Sequence, residues 1–349
     1  MKHSIIYENK KRYSSFPLLN RTENNELLIG FFTAPMPDHM GIFWWNTFKS
    51  WDEGETWKCE RNEVDRNFLY DFPADSAREK SDRFVTKLTE EVYVVTGSFG
   101  FKVINNKVQK SKSLFYNSFN EQGKVINWKI YAFPDVEIIL TFPRALRSDG
   151  LILIPAYALL KGSELSRAFV WRSKDDGQSF RLWNMFPDGV DGNEMAFIDT
   201  KYGILAHIRS DNHSWLMESW SVDRGITWSY PANVSSYFGE SVIGGPPHLL
   251  RLTDQRIVCS YGYRFDPMGI RAIVSEDEGQ TWLRPIILRK DGGYLSSLHK
   301  KRMFKKLPYA GNDVGYPVSV QLKDGKILTA YYITCEDKIT HIATTKWEV

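Results

Sequence analysis

The sequence predicts an all-β fold, a six-bladed β-propeller of four-stranded antiparallel sheets, and three repeated features predict it. One is an octet in which Ser, Asp, Gly, Thr and Trp alternate with variable residues, and the second is a short polar turn between two apolar runs. The third is the spacing, about 50 to 60 residues for the octet and roughly 50 to 70 residues for the turns, which is in the range expected of propeller blades. A closed array of this kind can occupy a chain of 349 residues, so we expect a single domain over residues 1–349.

The octet, here called the Asp-box, is a turn with a hydrophobic plug. Its Asp can accept hydrogen bonds from the local backbone, its Gly supplies a positive φ, and its final aromatic residue packs inward. We therefore predict a structural role for the box aspartates. The complete copies are Ser50–Trp57 with Asp52, Ser221–Trp228 with Asp223 and Ser275–Trp282 with Asp277, Ser173–Phe180 with Asp175 is nearly complete, and a degenerate copy surrounds Asn120.

The polar turns predict a hairpin between the first and second strands of every blade, whereas the Asp-box joins the third and fourth. The six turns are Thr22–Asn25, Thr89–Glu91, Arg147–Gly150, Asp199–Lys201, Thr253–Gln255 and Lys323–Gly325. The last blade has no box, and the chain ends one strand after its hairpin. We therefore expect the N-terminal segment Ser4–Tyr7 to supply its outer strand, because this pairing closes the ring and removes an exposed edge.

Composition excludes several classes of function. A net charge of +3 is too small to indicate a nucleic-acid partner, while an aromatic content of 14% suits both sheet packing and sugar stacking. The three cysteines, Cys59, Cys259 and Cys335, are expected to be buried thiols without a disulfide framework. No metal-ligand spacing and no phosphate-binding loop occurs, so neither a metal nor a cofactor is expected. Met1–Lys11 lacks the apolar core of a signal peptide and no run reaches membrane-spanning length, so we expect a cytoplasmic protein unless a leader was removed.

Strand direction predicts which residues meet on one face of the propeller. Both turn types follow odd-numbered strands, so the starts of first strands and the ends of second strands share the opposite face, near the axis. A concave polar site there is a default ligand site. The residues placed there are Asp82–Arg83, Arg144, Glu194, His248 and Tyr316 at strand starts, Arg209 and Arg264 at strand ends, and Asp38–His39 and Arg271 in loops between second and third strands. Taken singly, the arginines suit a solvated surface, His248 suits core packing, and Tyr316 suits a plug of the central channel.

The four boxes, the segment from Glu194 to Arg209 and the segment Asp313–Pro317 resemble the sialidase (neuraminidase) superfamily of six-bladed propellers. The resemblance implies a glycosidase that acts on an acidic carbohydrate with retention of configuration. Tyr316 fits the family's nucleophile and Glu194 the carboxylate that assists it. Arg209 fits one member of the arginine triad that binds the sugar carboxylate. Asp38 is the candidate acid/base residue.

The physical chemistry of the substrate agrees with these roles. A sialic acid carries a carboxylate on its anomeric carbon, which would repel an anionic nucleophile, whereas a neutral phenol deprotonated by a nearby carboxylate avoids the repulsion. Guanidinium groups bind carboxylates through paired, charge-assisted hydrogen bonds. Arg271 or Arg264 fits a second position of the triad.

The first triad position departs from the family. Sialidases begin their first blade with Tyr-Arg-Ile-Pro, whereas this chain has Tyr13–Pro17 with Ser15 in place of the arginine. Arg83 or Arg144 would have to compensate, with His248 as a further substrate contact. Two alternatives therefore stay open: a hydrolase or lyase that acts on a uronic-acid or neutral glycan, and a propeller that binds a glycan or a protein without catalysis.

Overall fold

The computed structural model describes residues 1–22, 24–35, 44–65, 86–87, 93–98, 101–104, 107–110, 112–119, 125–141, 145–148, 150–175, 177–210, 215–234, 245–298 and 314–349. These residues form six antiparallel sheets and one separate two-stranded hairpin. Five of the sheets have four strands, and the third along the chain has five. The chain forms two compact units, Met1–Phe68 with Tyr237–Val349, and Leu69–Ser236. No helix in the described part of the chain is long and apolar enough to span a membrane.

The first unit holds three four-stranded sheets, named here by their order in the chain. The first sheet is β2 (Tyr13–Arg21), β3 (Leu27–Ala34), β4 (Trp44–Ser50) and β5 (Lys58–Asp65). The fifth sheet is β21 (His248–Arg251), β22 (Ile257–Tyr263), β23 (Gly269–Ser275) and β24 (Ile286–Arg289). The sixth sheet is β25 (Gly315–Gln321), β26 (Ile327–Thr334), β27 (Thr340–Trp347) and β1 (Lys2–Tyr7).

The N-terminal strand is the outer strand of the sixth sheet, as predicted. β1 pairs antiparallel with β27, from Lys2 opposite Lys346 to Tyr7 opposite Ile342. It begins two residues earlier than the apolar pattern indicated. This pairing satisfies one edge of β27 with the opposite end of the chain.

The second unit contains the other three sheets and the hairpin. The second sheet is β6 (Thr86–Lys87), β7 (Tyr93–Ser98), β10 (Ser113–Phe119) and β11 (Val125–Ala132). The third is β12 (Val136–Thr141), β13 (Leu146–Ser148), β14 (Leu151–Leu160), β15 (Ser166–Ser173) and β16 (Arg181–Asn184). The fourth is β17 (Met195–Thr200), β18 (Gly203–Arg209), β19 (Leu216–Ser221) and β20 (Ala232–Asn233). The hairpin, β8 (Phe101–Ile104) with β9 (Lys107–Lys110), was not predicted.

Core side chains lie in layers between neighbouring sheets of each unit. Strand β26 shows the reason, because successive side chains of a strand point to opposite faces. Tyr331 and Ile333 pack with residues of the fifth sheet, whereas Ala330 and Tyr332 pack with residues of the first. In the second unit, one layer lies between the second and third sheets and another between the third and fourth.

The hydrogen-bonded turn predicted from the octet is present at all four complete or nearly complete boxes. Ser50 Oγ donates to Asp52 Oδ1 at 2.8 Å and accepts from Gly54 N at 2.9 Å. The Thr56 backbone amide also donates to Asp52 Oδ1, at 2.9 Å. The same bonds form around Asp175, Asp223 and Asp277. This geometry supports the structural role of the four aspartates.

Five of the six predicted hairpin turns join consecutive strands of one sheet, namely β2 to β3, β13 to β14, β17 to β18, β21 to β22 and β25 to β26. The turn Thr89–Glu91 and the degenerate box at Asn120 lie outside the described residues. The three cysteines are free thiols, and of the three predicted to be buried only Cys259 is, since Cys335 is half-buried and Cys59 is exposed. Its position on β5, an edge strand, explains the exposure.

Candidate functional site

The second unit brings Glu194 and Arg209 together. Glu194 directly precedes β17 and Arg209 ends the neighbouring strand β18, so the two residues face each other across one ladder. The Arg209 amide donates to the Glu194 carbonyl at 2.8 Å, and Arg209 Nη1 donates to Glu194 Oε2 at 2.7 Å. Only 5% of Glu194 is exposed. A charge-assisted bond of this kind fixes the orientation of both side chains.

Polar residues beside this pair extend the same ladder and were missed in the sequence. Ser210 Oγ donates to Asp191 Oδ2 at 2.8 Å, and the Glu194 amide donates to Asn193 Oδ1 at 2.8 Å. Asp191 and Asn193 are both buried. The available sequence signal was that Asn193 precedes Glu194 directly, that Ser210 follows Arg209 directly, and that Asp191 lies three residues before Glu194. Together they hold the start of β17 against the end of β18.

A buried histidine and glutamate lie further along the same strand face. His207 is two residues before Arg209, and its register partner on β19 is Glu218. The two side chains approach to 3.8 Å between His207 Nε2 and Glu218 Oε2, and both are buried. Because side chains two residues apart in a strand share a face, His207 lies on the same face of β18 as Arg209. Nothing in the local sequence pattern predicted it.

In the first unit, Tyr316 is held in an unusual backbone conformation. It has φ 50°, and Phe16, the equivalent residue of the first sheet, has φ 54°. Each residue precedes a proline and lies at a register shift, between Gly315 and Val318 in β25 and between Ser15 and Leu18 in β2. A positive φ in a bulky residue costs about 1–3 kcal/mol, so packing must maintain it. Such bulges re-aim a side chain, which accounts for the placement of both rings.

The Tyr316 ring packs in an aromatic cluster. It meets the Phe16 ring edge-on, with 4.6 Å between centroids and 80° between planes. Tyr332 of β26 lies beneath both, at 5.8 Å from Tyr316 and 5.9 Å from Phe16. Tyr332 is fully buried while Tyr316 is half-buried, so the cluster anchors Tyr316 at the surface of the core.

Arg264 follows the end of β22 and contacts the segment that leads to Tyr316. Its Nε donates to the Val314 carbonyl at 3.3 Å. Two glycines allow the backbones of β22 and β25 to approach each other, because a Cβ on Gly262 would lie only 2.8 Å from the Gly315 Cα. The fifth and sixth sheets therefore come into backbone contact directly beside Tyr316.

Arg271 lies within β23, not in the loop before it as predicted, because β23 begins at Gly269. Its guanidinium lies over the Tyr263 ring, 3.3 Å from the centroid, and the residue is only 9% exposed. Its Nε is buried without a hydrogen-bond partner. Neither Arg271 nor Arg264 has a carboxylate partner among the residues that the structure describes. Other arginines of this unit do, namely Arg12, Arg21, Arg251, Arg256 and Arg289.

His248 and Ser15 are both buried. His248 begins β21, is 4% exposed, and accepts a hydrogen bond at Nδ1 from the Ser319 amide at 3.2 Å. This placement favours core packing over the substrate contact predicted for His248. Ser15, which the sequence comparison set against the family arginine, is completely buried in β2.

The remaining predicted site residues, Asp38, Arg83 and Arg144, lie outside the described residues. Glu194 and Arg209 belong to the second unit, whereas Tyr316, Arg264, Arg271 and His248 belong to the first. In the described ranges, none of the predicted site residues belongs to a group of three metal-ligating side chains. The side chains of these residues are of types that can transfer protons or bind an anion.

Comparisons with solved structures agree on the fold. A protein of unknown function from Dyadobacter fermentans DSM 18053 is 21% identical, with a TM-score of 0.72 over 99% of this chain and 98% of that one. A leech intramolecular trans-sialidase complexed with 2,7-anhydro-Neu5Ac is 11% identical, with a TM-score of 0.61 over 100% and 70%. The intramolecular trans-sialidase from Ruminococcus gnavus is 11% identical, with a TM-score of 0.58 over 99% and 96%.

At these identities the similarity establishes the fold, an all-β propeller of small antiparallel sheets, and not the activity. No curated protein matches the sequence. A family model described as a BNR repeat-like domain matches residues 133–329, which is more than half of the chain. The matched range includes three of the four boxes described above. The chain therefore belongs to the BNR repeat-like domain family.

Proposed function

We propose that this protein is a glycoside hydrolase of sialidase type, which releases a terminal sialic acid or a related acidic sugar with retention of configuration. The observation that carries the proposal is the pair of arginines, Arg264 and Arg271, that have no carboxylate partner in the described residues. A guanidinium as buried as Arg271 is costly without a counter-ion, and a substrate carboxylate would supply one. The trans-sialidase and sialidase folds of similar structures support the same conclusion.

The proposed reaction has two steps. In the first, Tyr316 Oη attacks the anomeric carbon as the glycosidic bond breaks, Glu194 accepts the phenol proton, and Asp38 protonates the leaving oxygen. In the second, a water deprotonated by Asp38 attacks the same carbon and the Tyr316 oxygen leaves, taking its proton back from Glu194. Two inversions give retention. Arg209, Arg264 and Arg271 bind the sugar carboxylate throughout.

The mechanism requires the six sheets to surround one axis as the blades of a single closed domain. In that arrangement the first strand of every blade begins at the same end of the central channel, so Glu194 and Tyr316 would lie there together. A crystal structure with a bound sialic acid analogue tests the requirement directly. The proposal fails if Tyr316 Oη and Glu194 lie beyond hydrogen-bond reach while the analogue is bound.

Activity is tested with a fluorogenic sialoside and the full chain. We expect wild-type turnover, and a loss of at least about 100-fold in kcat for Tyr316→Phe, because the variant keeps the ring and removes the nucleophile. Tyr294→Phe is the matched control, since Tyr294 is 43% exposed and lies in the segment before β25. It should retain full activity. Absence of wild-type turnover on every ulosonic-acid glycoside would contradict the proposal.

The burial of Ser15 favours a second candidate. Without an arginine at this position, the group that would bind the sugar carboxylate has one arginine fewer than the triad of the sialidase pattern. This suits a hydrolase or lyase that acts on a uronic-acid or neutral glycan. A screen of acidic and neutral oligosaccharides distinguishes the two enzymes by their products. Measurable glycan binding with no product after long incubation would identify a binding propeller instead.

A further inference from the structure

Glu8, Asp337 and His341 form a cluster of metal-ligating groups on the sixth sheet, and none of the three is among the residues of the proposed active site. Each of the three offers one ligand atom within 4.8 Å of the others. Glu8 follows the N-terminal strand β1, Asp337 lies in the turn between β26 and β27, and His341 is the second residue of β27. The cluster therefore joins three segments of the first unit.

The histidine is buried and its two ring nitrogens face different carboxylates. His341 is 2% exposed, and Nε2 lies 2.8 Å from Asp337 Oδ2. Nδ1 is buried, has no hydrogen-bond partner, and lies 3.5 Å from Glu8 Oε2. If Nε2 carries the proton that Asp337 accepts, Nδ1 is an unprotonated nitrogen 3.5 Å from Glu8 Oε2.

The charges around the cluster also lack compensation. Glu53, Glu55, Glu63 and Glu278 in the same unit pair with Lys or Arg side chains. Glu8 and Asp337 have no basic partner other than His341 among the described residues. The segment 292–298, which contacts the turn through Tyr294 N and Ser297 N, carries no charged side chain. Lys338 follows Asp337 in the turn but forms no ion pair with either carboxylate, so a bound cation would add a counter-charge that no described Lys or Arg supplies.

The distance between the two open ligand atoms suits a tetrahedral ion. Zn²⁺ binds imidazole nitrogen at about 2.0–2.1 Å and carboxylate oxygen at about 2.0–2.2 Å, which at a near-tetrahedral angle separates the two atoms by roughly 3.3–3.5 Å. The observed 3.5 Å from His341 Nδ1 to Glu8 Oε2 agrees with this value. Asp337 holds the other ring nitrogen, as carboxylates behind metal-bound histidines commonly do.

We propose that Glu8 and His341 bind a divalent transition-metal ion such as Zn²⁺, with Asp337 orienting the imidazole and water completing the coordination. Imidazole and carboxylate together suit ions of this class. Glu8 is exposed, so water can reach the remaining positions. The bound ion fastens the end of β1 to the start of β27 and thereby stabilises the pairing of the N-terminal strand.

Isothermal titration of the full chain with ZnCl₂, after removal of any affinity tag, tests the proposal. We expect one ion per chain in the wild type and a higher melting temperature with Zn²⁺. Glu8→Gln should weaken binding by more than about tenfold, and Asp337→Asn by about 10- to 100-fold. Glu336→Gln, a change at an exposed residue of the same turn, should bind as the wild type does.

Because both test residues are exposed, the variants are expected to fold, and their unfolding curves without metal verify this. An anomalous diffraction peak beside His341 Nδ1 would locate the ion. The proposal is overturned if the wild type binds no Zn²⁺ at millimolar concentration. It is also overturned if Glu8→Gln binds with wild-type affinity, which would place the ion elsewhere, for instance at the exposed Cys59.

Discussion

At the scale of single residues, the informative feature is Arg271, a buried arginine with no carboxylate partner among the described residues. Arg271 is held by the Tyr263 ring rather than by a carboxylate, and cation–π contact contributes only about 1–2 kcal/mol at a partly desolvated site. That energy does not offset the burial of a guanidinium. Under the proposed function, a substrate carboxylate would supply the counter-ion.

Arg271→Lys tests this explanation. Lysine keeps the positive charge but loses the planar fork that binds a carboxylate through two hydrogen bonds. In the proposed enzyme, KM for the acidic substrate should rise by about 10-fold or more, which corresponds to one charge-assisted hydrogen bond. Steady-state kinetics measures it, and Arg284→Lys, at an exposed residue after the last box, is the control. Unchanged KM in Arg271→Lys would exclude a role in substrate binding.

At the scale of elements, the Asp-box shows how eight residues specify a turn. Burial would raise the pKa of Asp52, but hydrogen bonds from Thr56 and Ser50 outweigh it and lower the pKa to about 2. The pKa values of Asp175, Asp223 and Asp277 are lowered in the same way. Ionised box aspartates thus stabilise the folded state.

The sign of this effect gives a pH prediction. A carboxyl whose pKa is lower in the folded state contributes stability above its unfolded value of 3.8 and loses it as the pH falls toward about 2. Asp52→Asn should therefore be less stable than the wild type near neutral pH, by about 1 kcal/mol once solvent screening of this exposed carboxylate is allowed for, and the difference should shrink below pH about 4. Urea unfolding at several pH values measures it. A difference that is constant with pH would refute the ionised role.

At the scale of the whole molecule, the N-terminal strand completes the sixth sheet and also contacts the first. Tyr7 of β1 packs against Phe31 at 5.0 Å and Phe48 at 6.1 Å, both in the first sheet. The strand therefore forms backbone hydrogen bonds with β27 and packs its Tyr7 ring against aromatic residues of the first sheet. Its removal would leave β27 as an unpaired edge, which promotes association with other chains.

Deleting residues 1–7 should lower the melting temperature by about 5 °C or more and increase aggregation. A synthetic peptide of the deleted strand should restore stability in part when added in excess, because it can pair with β27. Calorimetry and light scattering measure both effects. A truncated chain that melts like the wild type would show that β1 contributes little to the fold.

The sequence alone determined the all-β class, the box turns, the hairpins and the pairing of the N-terminal strand. These follow from hydrogen bonds within a few residues and from period-two patterns, which are visible in a linear chain. It also singled out Glu194 and Arg209, since two neighbouring strands joined by a short turn must bring them together.

Only the tertiary structure decided which side chains are buried and, within the described part of the chain, which arginines have no carboxylate partner. It placed His248 in the core, Arg271 within β23 and on Tyr263, and Tyr316 on a bulge with the matching residue Phe16. It brought Glu8 to His341, from opposite ends of the chain. Such contacts depend on the packing of whole sheets, and no local pattern of residues encodes the distance between two side chains so far apart in sequence.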